Sequence, residues 1–127
     1  MNVLDENIPE DQRTLLRKWR VAHRQIGLDI GRTGMKDDQV TPLLLKQDRP
    51  TFFTLDADFY ARRLCHEDYC LVYLDVERRQ VAEYVRRVLR HRDLNTKAKR
   101  MGLVIRVLPT GLTVWRIHRE QESHLTW

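Results

Sequence analysis

The sequence predicts a single α/β domain with a mainly parallel central sheet. Residues 51–56 and 70–76 are short runs rich in β-branched and aromatic side chains, which is typical of buried strands. A helical pattern follows each run, as expected of right-handed βαβ crossovers between parallel strands. Two further apolar runs, 103–108 and 112–117, flank Pro109-Thr110-Gly111. They predict a C-terminal β-hairpin with a three-residue turn.

The first part of the chain predicts two short strands and two helices. Residues 2–4 and 21–26 are the expected strands. Pro9-Glu10 predicts a helix start, because proline and acidic residues both suit the first turn. Thr41-Pro42 is a start signal for the second helix, with the threonine as N-cap and the proline in the first turn, so Asp37 lies either in the first turn of that helix or one turn outside it.

A long basic helix is predicted over residues 77–94. Its apolar positions recur at the spacing of one helical face: Val81, Tyr84, Val85, Val88 and Leu89. Four arginines on the remaining faces are the expected nucleic-acid contacts: Arg79, Arg86, Arg87 and Arg90. A merely solvated helix face is the alternative. We assign residues 1–118 to the domain and 119–127 to a flexible tail.

The length, net charge and cysteine content of the chain limit the classes of function that it can have. A chain of 127 residues supports one hydrophobic core, and a net charge of +5 favours a polyanionic partner, either nucleic acid or an acidic protein. No apolar run is long enough to span a membrane, and the acidic start does not resemble a secretory signal. The two cysteines, Cys65 and Cys70, do not form a disulfide framework. We therefore expect a cytoplasmic protein with no membrane partner.

Acidic residues stand where predicted strands end. Asp5 and Glu6 follow the first strand, and Asp56 and Asp58 follow the strand at 51–56. The carboxyl ends of parallel strands share one edge of a sheet, where ligands bind. Asp37, before the second helix, is a further candidate. Oxygen-only ligands select Mg²⁺ or Mn²⁺, so a divalent cation site is the hypothesis.

Structural roles are the alternative for some of these acids. Asp58 could cap a helix over 59–64, and Asp37 could compensate a helix dipole. Asp56 has no comparable structural role in the predicted elements. A receiver-like or phosphatase domain also clusters acids, but it needs a strand-end lysine that none of the predicted strands has.

Three segments together resemble a known family. They are Leu4-Asp5-Glu6-Asn7, then Gly34-x-x-Asp37-x-x-Val40, then Thr54-Leu55-Asp56-Ala57-Asp58-Phe59. In this order they resemble the small PIN-like domains, which are relatives of the VapC-type toxin ribonucleases. The resemblance extends over nearly the whole chain, including the strand at 70–76, the helix after it and the C-terminal hairpin.

The resemblance implies a three-layer α/β/α fold and cleavage of RNA with Mg²⁺ or Mn²⁺. The implied metal-binding and catalytic residues are Asp5, Asp37, Asp56 and Asp58. The implied supporting residues are Thr54, Glu6 and Asn7. It also implies RNA as substrate, an antitoxin protein as a candidate partner and a candidate homodimer.

The chain departs from longer PIN nucleases in two ways. Those enzymes carry an additional helical acid between the first strand and the helix-start acid, and here Asp29 is the only candidate in that region. Pro42 also falls where the helix that presents Asp37 should run. A second hypothesis is therefore a PIN-like module without catalytic activity that binds RNA or a protein partner.

Overall fold

Seven strands form one sheet in the computed structural model, which describes residues 1–127. The strands are β1 (Asn2–Leu4), β2 (Arg24–Gln25), β3 (Thr51–Thr54), β4 (Cys70–Leu74), β5 (Leu103–Leu108), β6 (Gly111–Arg116) and β7 (Ser123–Leu125). The helices are α1 (Glu10–Lys18), α2 (Asp37–Leu45), α3 (Val81–Arg90) and α4 (Lys97–Arg100). Short 3₁₀ turns cover Ala57–Phe59, Arg62–Leu64 and Arg78–Gln80. None of the helices has the length and apolar character needed to cross a membrane.

The sheet has the order β2-β1-β3-β4-β5-β6-β7. The first five strands in this order are parallel, and β6 and β7 pair antiparallel to their neighbours. The expected α/β class with a mainly parallel sheet and a hairpin is therefore confirmed. The hairpin turn is shorter than predicted, because Gly111 already pairs with Leu108. A side chain at Gly111 would lie 2.9 Å from the carbonyl oxygen of Leu125, so the close approach of β7 requires glycine there.

The expected flexible tail at 119–127 is wrong for its last residues. Ser123–Leu125 pairs with β6 and forms the edge of the sheet. The Trp127 indole Nε1 donates a hydrogen bond to the carbonyl oxygen of Leu108 at 2.9 Å. The His91 imidazole Nε2 lies 2.7 Å from the carbonyl oxygen of Thr126. These backbone and side-chain bonds hold the segment against the domain.

Alternate residues of each strand point to opposite faces of the sheet, so both faces carry side chains that need burial. Helices cover both of these faces. On one face α1 and α3 pack over the sheet, in a cluster that includes Leu4, Phe53, Val72, Ile105, Leu16, Val85 and Val88. On the other face α2 and the turn Ala57–Phe59 pack over Val3, Phe52, Leu71 and Val104 through Val40, Leu44 and Phe59. The burial of each of these side chains stabilises the folded state by about 1.5–3 kcal/mol.

The structure decides where the second helix begins. The helix α2 begins at Asp37, which places Asp37 in the first turn, and the start signal Thr41-Pro42 therefore lies inside the helix. The Lys36 N–H donates to Gln39 Oε1 at 3.0 Å and caps the earlier start. Burial of Val40 and Leu44 then compensates for the hydrogen bond that proline cannot make.

The predicted helix over 77–94 is divided and shorter. A 3₁₀ turn covers Arg78–Gln80, and α3 ends at Arg90. The buried Gln12 side chain accepts a hydrogen bond from the Ala82 N–H at 2.9 Å. This bond satisfies a free amide in the first turn of α3 and ties that helix to α1.

Candidate functional site

Three of the four predicted metal-binding acids come together at one edge of the sheet. They are Asp37, at the start of α2, and Asp56 and Asp58, which follow β3. One carboxylate oxygen from each lies within 4.8 Å of the others. The three residues form what we call the carboxylate cluster. It brings together two elements that are separated in the sequence.

A tight turn after β3 positions two of these carboxylates. Asp56 Oδ1 accepts a hydrogen bond from the Asp58 N–H at 2.9 Å and caps the turn Ala57–Phe59. The expectation that Asp56 has no structural role is therefore wrong. The expected helix over 59–64 is also replaced by two 3₁₀ turns. The Phe59 ring packs edge-on against Phe52 at 5.2 Å between centroids and anchors the turn to the core.

Asp5 lies beside the carboxylate cluster but outside it. Its Oδ2 accepts a hydrogen bond from Thr54 Oγ1 at 2.6 Å, and its Oδ1 accepts one from the Glu6 N–H at 2.8 Å. Thr54 Oγ1 in turn accepts from the Asp56 N–H at 3.0 Å. Thr54 therefore connects Asp5 to Asp56. In this arrangement Asp5 orients the threonine that positions the cluster.

Glu6 and Asn7 support the same edge through the backbone. Both carboxylate oxygens of Glu6 accept from the Gly34 N–H, at 3.0 and 3.1 Å. This contact fixes the loop that leads into α2 and so places Asp37. The Asn7 Oδ1 accepts from the Leu55 N–H at 3.4 Å, close to the end of β3.

Asp29, the only candidate for the additional acid of longer PIN nucleases, has a structural role. Its Oδ2 accepts a hydrogen bond from the Gln25 N–H at 2.8 Å. Asp75, at the end of β4, is occupied by Arg106, whose guanidinium lies 2.6 Å from Asp75 Oδ2. Neither acid belongs to the carboxylate cluster.

Burial and mutual repulsion raise the pKa of two acids at this edge. The pKa of Asp37 is raised from 3.8, first by partial burial and then by the negative charges of Asp56, Asp58 and Asp38. The pKa of Asp5 is also raised by burial, against the opposing hydrogen bonds from Thr54 and Glu6. Crowded carboxylates of this kind favour a bound cation that neutralises them. The all-oxygen donor set fits Mg²⁺ or Mn²⁺.

The raised pKa of Asp37 predicts that this carboxylate lowers the stability of the metal-free protein as the pH rises. The folded protein binds the Asp37 proton more tightly than the unfolded chain does, so the contribution of Asp37 to the free energy of unfolding decreases above pH 3.8. Asp37→Asn removes this titration. We expect urea denaturation in EDTA to show that, between about pH 4 and pH 7, the free energy of unfolding declines less for the variant than for wild type.

Asp93→Asn is the control for that measurement. Asp93 is exposed and lies outside the carboxylate cluster. The free energy of unfolding of this variant should therefore change with pH as steeply as that of wild type. If the free energy of unfolding of Asp37→Asn declines as steeply as that of wild type, the Asp37 carboxylate is not repelled by its neighbours in the wild-type protein.

A cavity of about 400 Å³ opens beside the carboxylate cluster. Asp37 and Asp58 line it, together with Asp38 and Arg63. The Arg63 guanidinium forms no ion pair, although three acids share its cavity. Sequence reasoning missed Arg63. Its only signal was its place a few residues after Asp58, in a segment expected to be one continuous helix.

Three of the four predicted nucleic-acid contacts line a second cavity, of about 700 Å³. They are Arg86, Arg87 and Arg90. Arg79 does not line this cavity, and its guanidinium instead lies 3.4 Å from Glu77. This second cavity belongs to α3, which covers the sheet face opposite to α2.

The fold and the site together define an α/β protein with a carboxylate cluster at the carboxyl edge of a mainly parallel sheet. No protein-family model matches the chain. No curated protein and no solved structure matches it either.

Proposed function

We propose that this protein is a metal-dependent ribonuclease of the PIN-like type that hydrolyses phosphodiester bonds in RNA. The observation that carries the proposal is the carboxylate cluster, whose three oxygens lie within 4.8 Å of one another. Helices on both sheet faces support the three-layer arrangement of that family. The proposal includes a toxin role, an antitoxin partner and a homodimer, which follow from the resemblance. It also includes a cytoplasmic location, which follows from the cysteine content.

The residues at the candidate site have different roles. Asp37, Asp56 and Asp58 would hold the cation, and Thr54 with Asp5 orients Asp56. When bound, Mg²⁺ or Mn²⁺ supplies Lewis-acid chemistry to a phosphodiester and its attacking water. While the site lacks a cation, partial burial and the charges of Asp56 and Asp58 raise the pKa of Asp37.

Metal binding is the experiment that tests this proposal. Mn²⁺ is titrated into the purified protein while thermal unfolding is followed, and cleavage of a labelled single-stranded RNA is measured in the same buffer. A ligand of the native state stabilises it by about 2.7 kcal/mol at one hundred times its Kd. We expect Mn²⁺ to raise the unfolding temperature and EDTA to abolish both the rise and the cleavage. No rise at millimolar Mn²⁺ would contradict the proposal.

Arg63 is expected to hold the substrate phosphate beside the carboxylate cluster. Its guanidinium is unpaired and shares a cavity with Asp37 and Asp58. Guanidinium groups bind phosphate oxygens bidentately. Arg63→Ala should lower kcat/KM for RNA cleavage by about 100-fold, as for loss of one charge-stabilising donor.

Arg62→Ala is the matched control for Arg63. Both residues lie in the turn Arg62–Leu64 and both are exposed, but Arg62 does not line the cavity. The control should stay within about threefold of wild type, as expected of a surface change away from the site. The Mn²⁺-dependent rise in unfolding temperature should persist in both variants. Similar activities of the two variants would exclude Arg63 as a phosphate contact.

A PIN-like module that binds RNA without cleaving it is the second candidate function. The structural role of Asp29 favours this candidate, because Asp29 was the only candidate for the additional acid of longer PIN nucleases. Such a module needs no tight metal site. RNA binding without any Mn²⁺-dependent stabilisation would therefore favour it over the nuclease.

A further inference from the structure

The cavity beside α3 carries an excess of unpaired positive charge. Its lining includes the four arginines Arg86, Arg87, Arg90 and Arg92, against the single carboxylate of Glu83. None of the four guanidinium groups forms an ion pair. We call this cavity, of about 700 Å³, the arginine cavity. Its charge is opposite to that of the cavity beside the carboxylate cluster.

Aromatic rings hold two of these arginines in place. The Arg86 guanidinium carbon lies 3.8 Å from the centroid of the Trp19 ring, and that of Arg87 lies 4.3 Å from the Trp127 ring. Trp127 is itself fixed by its hydrogen bond to Leu108. Stacked guanidinium groups lose less freedom when they bind a ligand. Arg86 and Arg87 are therefore held in place before any ligand arrives.

We propose that the arginine cavity binds the backbone phosphates of single-stranded RNA without a metal ion. Guanidinium groups match the geometry of phosphate oxygens, and neutralised phosphates release counterions. The choice of RNA rests on the proposed function. The binding site itself rests on the cavity, its charge and its ordered arginines.

The lining disfavours a protein segment as occupant. Trp127 is the only hydrophobic residue among the eight that line the cavity, and one of its contacts is Arg87. A docked amphipathic helix requires an apolar groove. A polar polyanion matches this lining better.

The position of the cavity makes it an anchoring site rather than a reacting one. The helix α3 packs on the sheet face that carries Leu4 and Phe53, whereas α2, which presents Asp37, packs on the opposite face. The lining of the arginine cavity shares no residue with the carboxylate cluster. An RNA strand held at both places is bound bivalently, so loss of the anchor weakens binding and leaves the chemical step unchanged.

Binding in EDTA tests the anchor separately from the nuclease. Fluorescence anisotropy follows a labelled oligouridine binding to wild type and to Arg90→Glu with Arg92→Glu, at several salt concentrations. Both arginines are exposed, so the variant keeps its fold. We expect its Kd to rise by about tenfold or more. The slope of log Kd against log salt should fall by about 1.4, which is about 0.7 for each of two lost phosphate contacts.

Arg24→Glu with Arg119→Glu is the matched control, because it makes the same charge change on exposed residues that form no ion pair and lie outside the cavity. Its Kd should stay within about threefold of wild type. Equal weakening in both variants would overturn the proposal, because net charge alone would explain it. So would the absence of RNA binding in EDTA, or equally tight binding of a polyglutamate peptide. None of these outcomes depends on Mn²⁺, so the nuclease proposal is judged by its own titration.

Discussion

Asp56→Asn is expected to lower Mn²⁺-dependent RNA cleavage by about 10³-fold, because a cation site that contributes about 4 kcal/mol to the transition state loses a charged ligand. The fold should survive, since an asparagine Oδ1 can still accept the hydrogen bond from the Asp58 N–H. Thermal unfolding in EDTA should therefore occur at the wild-type temperature or slightly above it, because the substitution also removes one of the charges that repel Asp37. The rise in unfolding temperature with Mn²⁺ should disappear.

A second substitution at this position separates its two roles. Asp56→Ala removes both the charge and the cap of the turn Ala57–Phe59, so it should also lower stability in EDTA by about 1 kcal/mol. Asp93→Asn, an exposed carboxylate outside the cluster, should cleave RNA like wild type. Cleavage that survives in Asp56→Asn would remove Asp56 from the catalytic site.

Phe52→Ala is expected to lower the free energy of unfolding by about 3–5 kcal/mol, as for other fully buried aromatic residues. Phe52 is completely buried in β3 and packs against Phe59 at 5.2 Å between ring centroids. The substitution leaves a cavity behind the turn that carries Asp58. We therefore expect weaker Mn²⁺ binding as well as lower stability, measured by urea denaturation and by Mn²⁺ titration below the unfolding temperature.

Leu28→Ala is the control for the core substitution. Leu28 is 71% exposed, so its loss should change stability by less than about 0.5 kcal/mol. Unchanged Mn²⁺ affinity in Phe52→Ala would show that the turn Ala57–Phe59 keeps its shape without its aromatic support. A stability loss below about 1 kcal/mol would show that the core closes around the missing ring.

Local sequence signals were sufficient for the central strands and for two acids of the site. The runs that became β3 and β4 are continuous and rich in β-branched, aromatic and aliphatic side chains, as is typical of strands buried on both faces. Asp56 and Asp58 directly follow β3, so their place at the carboxyl edge of the sheet followed from the strand itself. The hairpin of β5 and β6 was equally clear, although its turn is one residue shorter than predicted.

Elements that depend on distant partners were not predictable in the same way. The strand β7 is only Ser123–Leu125, too short to carry a pattern, and it exists because the edge of β6 pairs with it. Local signals left the start of α2 undecided, because the signal of Thr41-Pro42 is outweighed by burial of Val40 and Leu44 against the sheet. Propensity is a weak determinant when burial opposes it.

The sequence by itself determined the α/β class, the central strands and the supply of carboxylates at strand ends. Only the tertiary structure decided which carboxylates meet. The parallel register of β1 and β3 aligns Leu4 with Phe53, which leaves Asp5 bonded to Thr54. The start of α2 meanwhile brings Asp37 to Asp56 and Asp58. Strand register and helix placement are set by packing between distant segments, and this information is absent from any local run of residues.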